Sequence, residues 1–220
     1  MLALEDDIEC ARWCDLNVMV SGERGVGKTA VARRIYLESR RGRAPLVISR
    51  TNDDVDSTVV NATPDATVLL QHPERLSPPM QRRLLRFMDG ETRRGHGAGG
   101  TSVPGRCPRF ITTTRSDVFE LVRREQFDES LFYRLNGVHL VVPPLRVRRE
   151  DIPPLLCHFI SQFGRTPPRL SPAAWDAIVK YPWPGNVREL KTVAATLAFI
   201  ERRMLQPSDL PPEIQSTRSS

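Results

Sequence analysis

Gly22-Glu23-Arg24-Gly25-Val26-Gly27-Lys28-Thr29 has the form G-x-x-x-x-G-K-[ST], the phosphate-binding loop. Glycines let successive backbone N–H groups turn toward an anion, and Lys28 brings positive charge to the β- and γ-oxygens of a polyphosphate. Thr29 offers a hydroxyl to Mg2+, and the helix expected after it points the positive end of its dipole at the same anion. The flanks agree. Asn17-Val18-Met19-Val20-Ser21 is an apolar run of strand character before the loop, and Ala30 to Leu37 continues as a helix after it. Strand, loop and helix in that order distinguish this match from a chance one in a glycine-containing turn.

Further short apolar runs stand at Pro45-Leu46-Val47-Ile48-Ser49, Thr67-Val68-Leu69-Leu70, Arg109 to Thr113 and Val138 to Val142. Helical spacing appears over Leu4 to Cys14, Pro79 to Met88 and Val118 to Arg124. Short strands alternating with helices predict an α/β fold, a parallel sheet flanked by helices. Arg50 to Asp65 reads as a connection with at most a short helix or strand around Thr58-Val59-Val60, and Gly90 to Gly105 as a glycine-rich, mobile surface loop. From Glu150 the pattern predicts helices alone: Asp151 to Phe163, Ser171 to Lys180 capped by Ser171 with Pro172 in the first turn, and Asn186 to Arg203. The expected division is an α/β nucleotide-binding core over 1–145, a small helical lid over 146–206 and a polar, disordered tail over 207–220.

The 220 residues are 40% hydrophobic, enough for a sizeable core. No apolar run approaches a membrane span, and the start MLALEDDIEC is acidic, unlike a signal peptide, so a cytoplasmic protein is expected. The net charge of +6 rests on twenty-nine arginines and three lysines, scattered along the chain. Aromatics do not alternate with them as a stacking platform for nucleic acid requires, so a general arginine bias explains the charge better than a nucleic-acid surface. Cys10, Cys14, Cys107 and Cys157 lack metal-ligand spacing and are expected as reduced thiols.

The second half carries a family resemblance. Phe127-Asp128-Glu129-Ser130-Leu131-Phe132-Tyr133-Arg134-Leu135-Asn136 resembles the F-R-E-D-L-Y-Y-R-L-N segment of the AAA+ domain in sigma-54-dependent transcriptional activators. Pro143-Pro144-Leu145-Arg146-Val147-Arg148-Arg149-Glu150-Asp151-Ile152 is similar to that family's P-P-L-R-E-R-x-E-D-I. Tyr181-Pro182-Trp183-Pro184-Gly185-Asn186-Val187-Arg188-Glu189-Leu190 matches its lid motif nearly residue for residue. The resemblance implies an AAA+ fold that assembles as a ring, binds ATP or ADP with Mg2+ between subunits and remodels the sigma-54 polymerase. It assigns nucleotide binding to Gly22, Glu23, Arg24, Gly25, Val26, Gly27, Lys28 and Thr29, where the family usually has Glu in place of Thr29. Arg188 resembles the lid arginine that reaches the γ-phosphate, and Arg134 one of two arginines that act across the subunit boundary.

Elsewhere the match breaks. Relatives read L-F-L-D-E-I-G-E-L after the third strand, whereas this chain reads Leu69-Leu70-Gln71-His72-Pro73-Glu74-Arg75-Leu76. Gln71 replaces the Asp that holds Mg2+ through water, and His72 replaces the Glu that activates the attacking water. A neutral amide adds no charge to a metal site, and imidazole is a poor stand-in for that carboxylate. On an extended chain Glu74 lies roughly 6–7 Å past the catalytic position, so its use as the acid needs a kink at Pro73. Arg115 stands where the family has the Asn of its A-T-N sensor, and Asp128 stands where it has the other trans arginine. No G-A-F-T-G-A, the loop with which relatives grip sigma-54, occurs in the sequence.

These residues predict a degenerate AAA+ domain of a transcriptional regulator that binds nucleotide, hydrolyses it little and does not contact sigma-54. Two alternatives stay open: a slow ATPase, and a scaffold or inhibitor that co-assembles with active AAA+ relatives. The expected partners are copies of itself, related AAA+ subunits or transcription machinery. No recognition helix for DNA fits after Asp209-Leu210-Pro211-Pro212.

Overall fold

The computed structural model describes residues 2–50, 62–90, 107–115, 117–166, 168–200 and 204–216. The readings at Thr58-Val59-Val60 and over 91–105 lie outside them. The chain forms two compact units, one of Met1–Gly22 and Lys28–Val142, the other of Glu23–Gly27 and Pro143–Ser220.

The first unit is a parallel sheet of β1 (Val18–Ser21), β2 (Leu46–Ser49), β3 (Thr67–Gln71), β4 (Arg109–Thr113) and β5 (Val138–Val141), in the order β2-β3-β4-β1-β5. Each strand is short and rich in β-branched or apolar residues, as expected of strands covered on both faces. The register sets Val18 beside Ile111 and Val138, and Gln71 beside Thr113, so the C-terminal ends of the central strands lie along one edge. Helices α1 (Leu2–Trp13) and α2 (Lys28–Glu38) pack together, α2 against β1 and β4 and α1 against β5. Val68, Leu70, Phe110 and Met19 join the apolar faces of α3 (Pro78–Met88) and α5 (Glu129–Leu135) in a continuous core, with α4 (Val118–Arg123) alongside.

Helix α5 is an addition to the sequence reading. Asp128 caps it, its Oδ1 accepting from Leu131 N–H at 2.9 Å, and Leu131, Phe132 and Leu135 bury one face. Arg109 sits inside β4 with its guanidinium 2.9 Å from the Leu16 carbonyl and bonded also to the Ala11 carbonyl. Burial lowers its pKa, yet the two carbonyls keep its donors satisfied.

The second unit packs α6 (Ile152–Ser161), α7 (Pro172–Lys180) and α8 (Asn186–Ala198) around Trp183. Ile152, Leu156 and Ile160 recur every fourth residue, the spacing of one helix face. Ser171 caps α7, its Oγ accepting from Ala174 N–H at 3.2 Å, with Pro172 behind it. Helices are not alone here, as a parallel ladder pairs β6 (Arg169–Leu170) with β7 (Met204–Leu205). Helix α8 stops at Ala198, short of the expected Arg203. The stretch read as a polar tail folds back in a short helix, α9 (Pro212–Ser216). Leu210 and Ile214, four residues apart, are buried in the same core as Trp183.

Candidate functional site

Within the first unit, β1 ends at Ser21 and the backbone swings through Gly22 at φ 145°. Lys28 begins α2 with its side chain buried, and its Nζ donates to the Gly22 carbonyl at 2.7 Å. The ammonium is thereby tied to the residue that follows β1, and Lys28 stands at the N-terminus of an eleven-residue helix. Thr29 follows in the first helical turn, half-buried. A positive helix end and a buried cation side by side are the chemistry that suits an anion.

The middle of the loop, Glu23–Gly27, belongs to the second unit and is held there at several points. Gly25 and Gly27 have φ of 81° and 103°, a region that L side chains rarely adopt. Gly25 has a second reason, since a Cβ there would stand 2.2 Å from the Gly185 carbonyl oxygen. The Gly25 carbonyl accepts from the Arg188 backbone N–H at 3.3 Å, and the Val26 carbonyl from Arg148 Nη2 at 2.7 Å. Asn186 is fully buried at φ 54°, in the left-handed region Asn tolerates. Its Oδ1 accepts from Leu145 N–H at 2.8 Å, and its Nδ2 donates to the Arg24 carbonyl at 3.1 Å and to Glu23 Oε2 at 3.2 Å. Arg146 grips the Glu23 carboxylate with both terminal nitrogens, at 2.8 and 2.5 Å. Those bonds, from Arg146 first and Asn186 second, hold the Glu23 pKa at about 2, below its ordinary 4.5. Both partners are half-exposed, so solvent discounts the energy of the pair while its two-pronged geometry still orients the loop. The Arg188 side chain is exposed and takes no protein partner among the described residues.

At the end of β3, back in the first unit, Gln71 closes the strand beside Thr113. His72 N–H donates to the Thr113 carbonyl at 2.8 Å, after which the chain turns. His72 lies at φ 60°, ψ 54°, and Pro73–Arg75 form a 3-10 turn. The extended path assumed from sequence is therefore wrong for Glu74. The kink exists, and it brings Glu74 Oε1 within 3.0 Å of His72 Nδ1. Arg115 is exposed past the end of β4. Arg134, near the end of α5, forms an ion pair with Asp89 of its own unit.

The comparisons agree with this geometry. Residues 1–145 match the sigma-54 interaction domain family and residues 146–220 the AAA+ ATPase lid domain. The chain is 36% identical over 224 residues to the HTH-type transcriptional regulatory protein TyrR of Enterobacter agglomerans, covering 89% of this chain and 42% of that protein. It is 32% identical over 245 residues to the transcriptional regulatory protein ZraR of Klebsiella oxytoca, covering 99% and 55%. The chain thus spans about half the length of these relatives. NtrX from Brucella abortus, crystallised in complex with ATP, superposes with a TM-score of 0.83 at 27% identity over 99% of this chain and 54% of that one. A RuvB mutant of Thermotoga maritima, at 13% identity and TM-score 0.61, shares the fold. A parallel five-stranded sheet, a phosphate loop after its first strand, a helical lid and a family match over most of its length place this chain in the sigma-54 interaction domain family of AAA+ proteins.

Proposed function

We propose that this chain is the nucleotide-binding AAA+ module of a transcriptional regulator, one that holds ATP or ADP with Mg2+ but turns ATP over slowly and does not grip sigma-54. The observation that carries the reading is the conformation of the phosphate loop, with Gly22, Gly25 and Gly27 at positive φ and Lys28 Nζ bonded to the Gly22 carbonyl. Binding draws on backbone N–H groups of Gly22–Thr29, the Lys28 ammonium and the Arg188 guanidinium. NtrX, at 27% identity, was crystallised with ATP and with ADP at 26%, which supports the same ligand class here. Mg2+ bound with the nucleotide would neutralise phosphate charge, held on the protein side by the Thr29 hydroxyl, with the neutral Gln71 amide at the end of β3.

Slow turnover follows from Gln71 and His72, which occupy the places where the resemblance expects a carboxylate pair. An imidazole in place of that carboxylate keeps only part of the rate, about 10²–10⁴, that a general base contributes. No gripping sequence for sigma-54 stands anywhere in the 220 residues. Assembly with copies of itself or with AAA+ relatives belongs to the same proposal, and Arg134 is the side chain offered across such a boundary once it leaves Asp89. The core, lid and tail division at 145 and 206 is proposed with it, the tail packing onto the lid. Purified chain in a sigma-54 transcription assay is expected to give no ATP-dependent stimulation of open-complex formation. Stimulation at saturating ATP would refute the reading.

A further inference from the structure

The end of β3 holds a pair of side chains that the phosphate loop leaves unexplained. Glu74 keeps 9% of its side chain exposed, and its Oε2 is buried without a hydrogen-bond partner. Its Oε1 lies 3.0 Å from His72 Nδ1. An unsatisfied buried carboxylate oxygen is costly, as is a non-glycine residue at φ 60°. The first unit bears both costs at one turn, on the sheet edge where Gly22 leaves β1. Only β4 lies between β3 and β1, so with strands about 4.8 Å apart the two ends are about 10 Å apart. His72 and Glu74 thus stand at the same sheet edge as the start of the phosphate loop.

We propose that His72 and Glu74 form a general-base dyad for hydrolysis of a nucleoside triphosphate held by the phosphate loop, an inference that rests on the nucleotide-binding reading above. A neutral imidazole carries one N–H. Donated from Nδ1 to Glu74 Oε1, it leaves Nε2 as an acceptor, and no protein group takes Nε2 among the described residues. In the step, a water oxygen bonds to the terminal phosphorus. The bond from that phosphorus to the bridging oxygen breaks, and its electron pair leaves on the nucleoside diphosphate. The proton of the water passes to Nε2 and from there to solvent. Glu74 takes no proton; it holds the tautomer and stabilises the imidazolium as it forms. His72 is the catalytic residue and Glu74 the positioning residue.

Three measurements on one preparation test the dyad: binding of a fluorescent ATP analogue, phosphate release at saturating ATP and Mg2+, and the histidine tautomer in nitrogen-15 spectra. His72→Asn keeps a side chain that tolerates the left-handed turn but cannot accept the proton. It is expected to bind nucleotide like wild type and release phosphate about 10²-fold more slowly. Glu74→Gln is expected to cost about 10-fold, as loss of a histidine-orienting carboxylate does elsewhere. Wild-type His72, assigned by its absence in His72→Asn, is expected as the Nδ1–H tautomer without nucleotide, and Glu74→Gln is expected to lose that preference. Wild type that binds nucleotide yet releases phosphate no faster than Lys28→Ala would overturn the dyad and leave the binding reading intact. His72→Asn at the wild-type rate, or an Nε2–H tautomer, would overturn it as well. Wild type that binds no nucleotide would overturn both.

Discussion

The ends of β1 and β3 lie on the same sheet edge and carry opposite histories. After β1 the motif is intact and the backbone obeys it, with glycines at positive φ, Lys28 bonded to the Gly22 carbonyl and the loop's middle fastened by Asn186, Arg146 and Arg148. After β3 the residues that the resemblance expects are gone, and His72 and Glu74 make a turn and a contact of their own. Asp128 repeats the second case, since the place of a trans arginine is taken by a carboxylate that caps α5. Where the expected residues are missing, the substituted ones make local contacts of their own. Where the motif is kept, packing and hydrogen bonds hold the middle of the loop.

The contrast sharpens most if the altered edge is rebuilt. Gln71→Asp with His72→Glu returns a carboxylate pair to the end of β3, and phosphate release should rise about 10²–10³-fold. An unchanged rate would mean that the block to turnover lies elsewhere, at Arg115 or Asp128. On the retained side, Asn186→Ala leaves the Leu145 N–H and the Arg24 carbonyl without their buried partner. A loss of about 2 kcal/mol is expected, read as a lower midpoint in denaturant unfolding. Little change there would show that the loop's middle does not depend on its anchor.

Much of this was legible in the sequence. The five strands follow from short apolar runs between turn residues, α2 from its place after the phosphate loop, and α7 from its Ser171 cap and spacing. The phosphate loop was explicit because its glycines, lysine and threonine are contiguous. What escaped notice depends on partners distant in sequence. Asn186 meets Arg24 across 162 positions, so its role has no local signature. The β6/β7 ladder has two residues per strand, too few for any period to show. The return of Glu74 depends on one backbone dihedral pair at His72, and a proline after it only permits that turn. The tail looked polar because Leu210 and Ile214 are isolated among prolines and charges, and burial came from the lid they meet.

Smaller effects probe the same contrast. Asp128→Ala removes the cap of α5 and should cost about 1 kcal/mol, seen as a modest fall in melting temperature. Equal stability would mean that the carboxylate caps nothing. Glu23 gives a pH-dependent test. Its pKa is lowered on folding to about 2 from 4.5, so its contribution is fully present above 4.5 and drains away as pH falls toward 2. The melting difference between wild type and Glu23→Gln should therefore be largest near neutral pH and shrink through that window. A difference that grows in acid would contradict the Arg146 and Asn186 contacts.

The central claim is that an intact phosphate loop still holds nucleotide in a chain poorly equipped to spend it. Titration of a fluorescent ATP analogue into wild type and Lys28→Ala tests it most directly. A desolvated charged contact is worth about 2–5 kcal/mol, so the variant should bind about 10²-fold more weakly or worse while wild type saturates. Equal affinities for the two proteins, or no binding by wild type, would contradict the account.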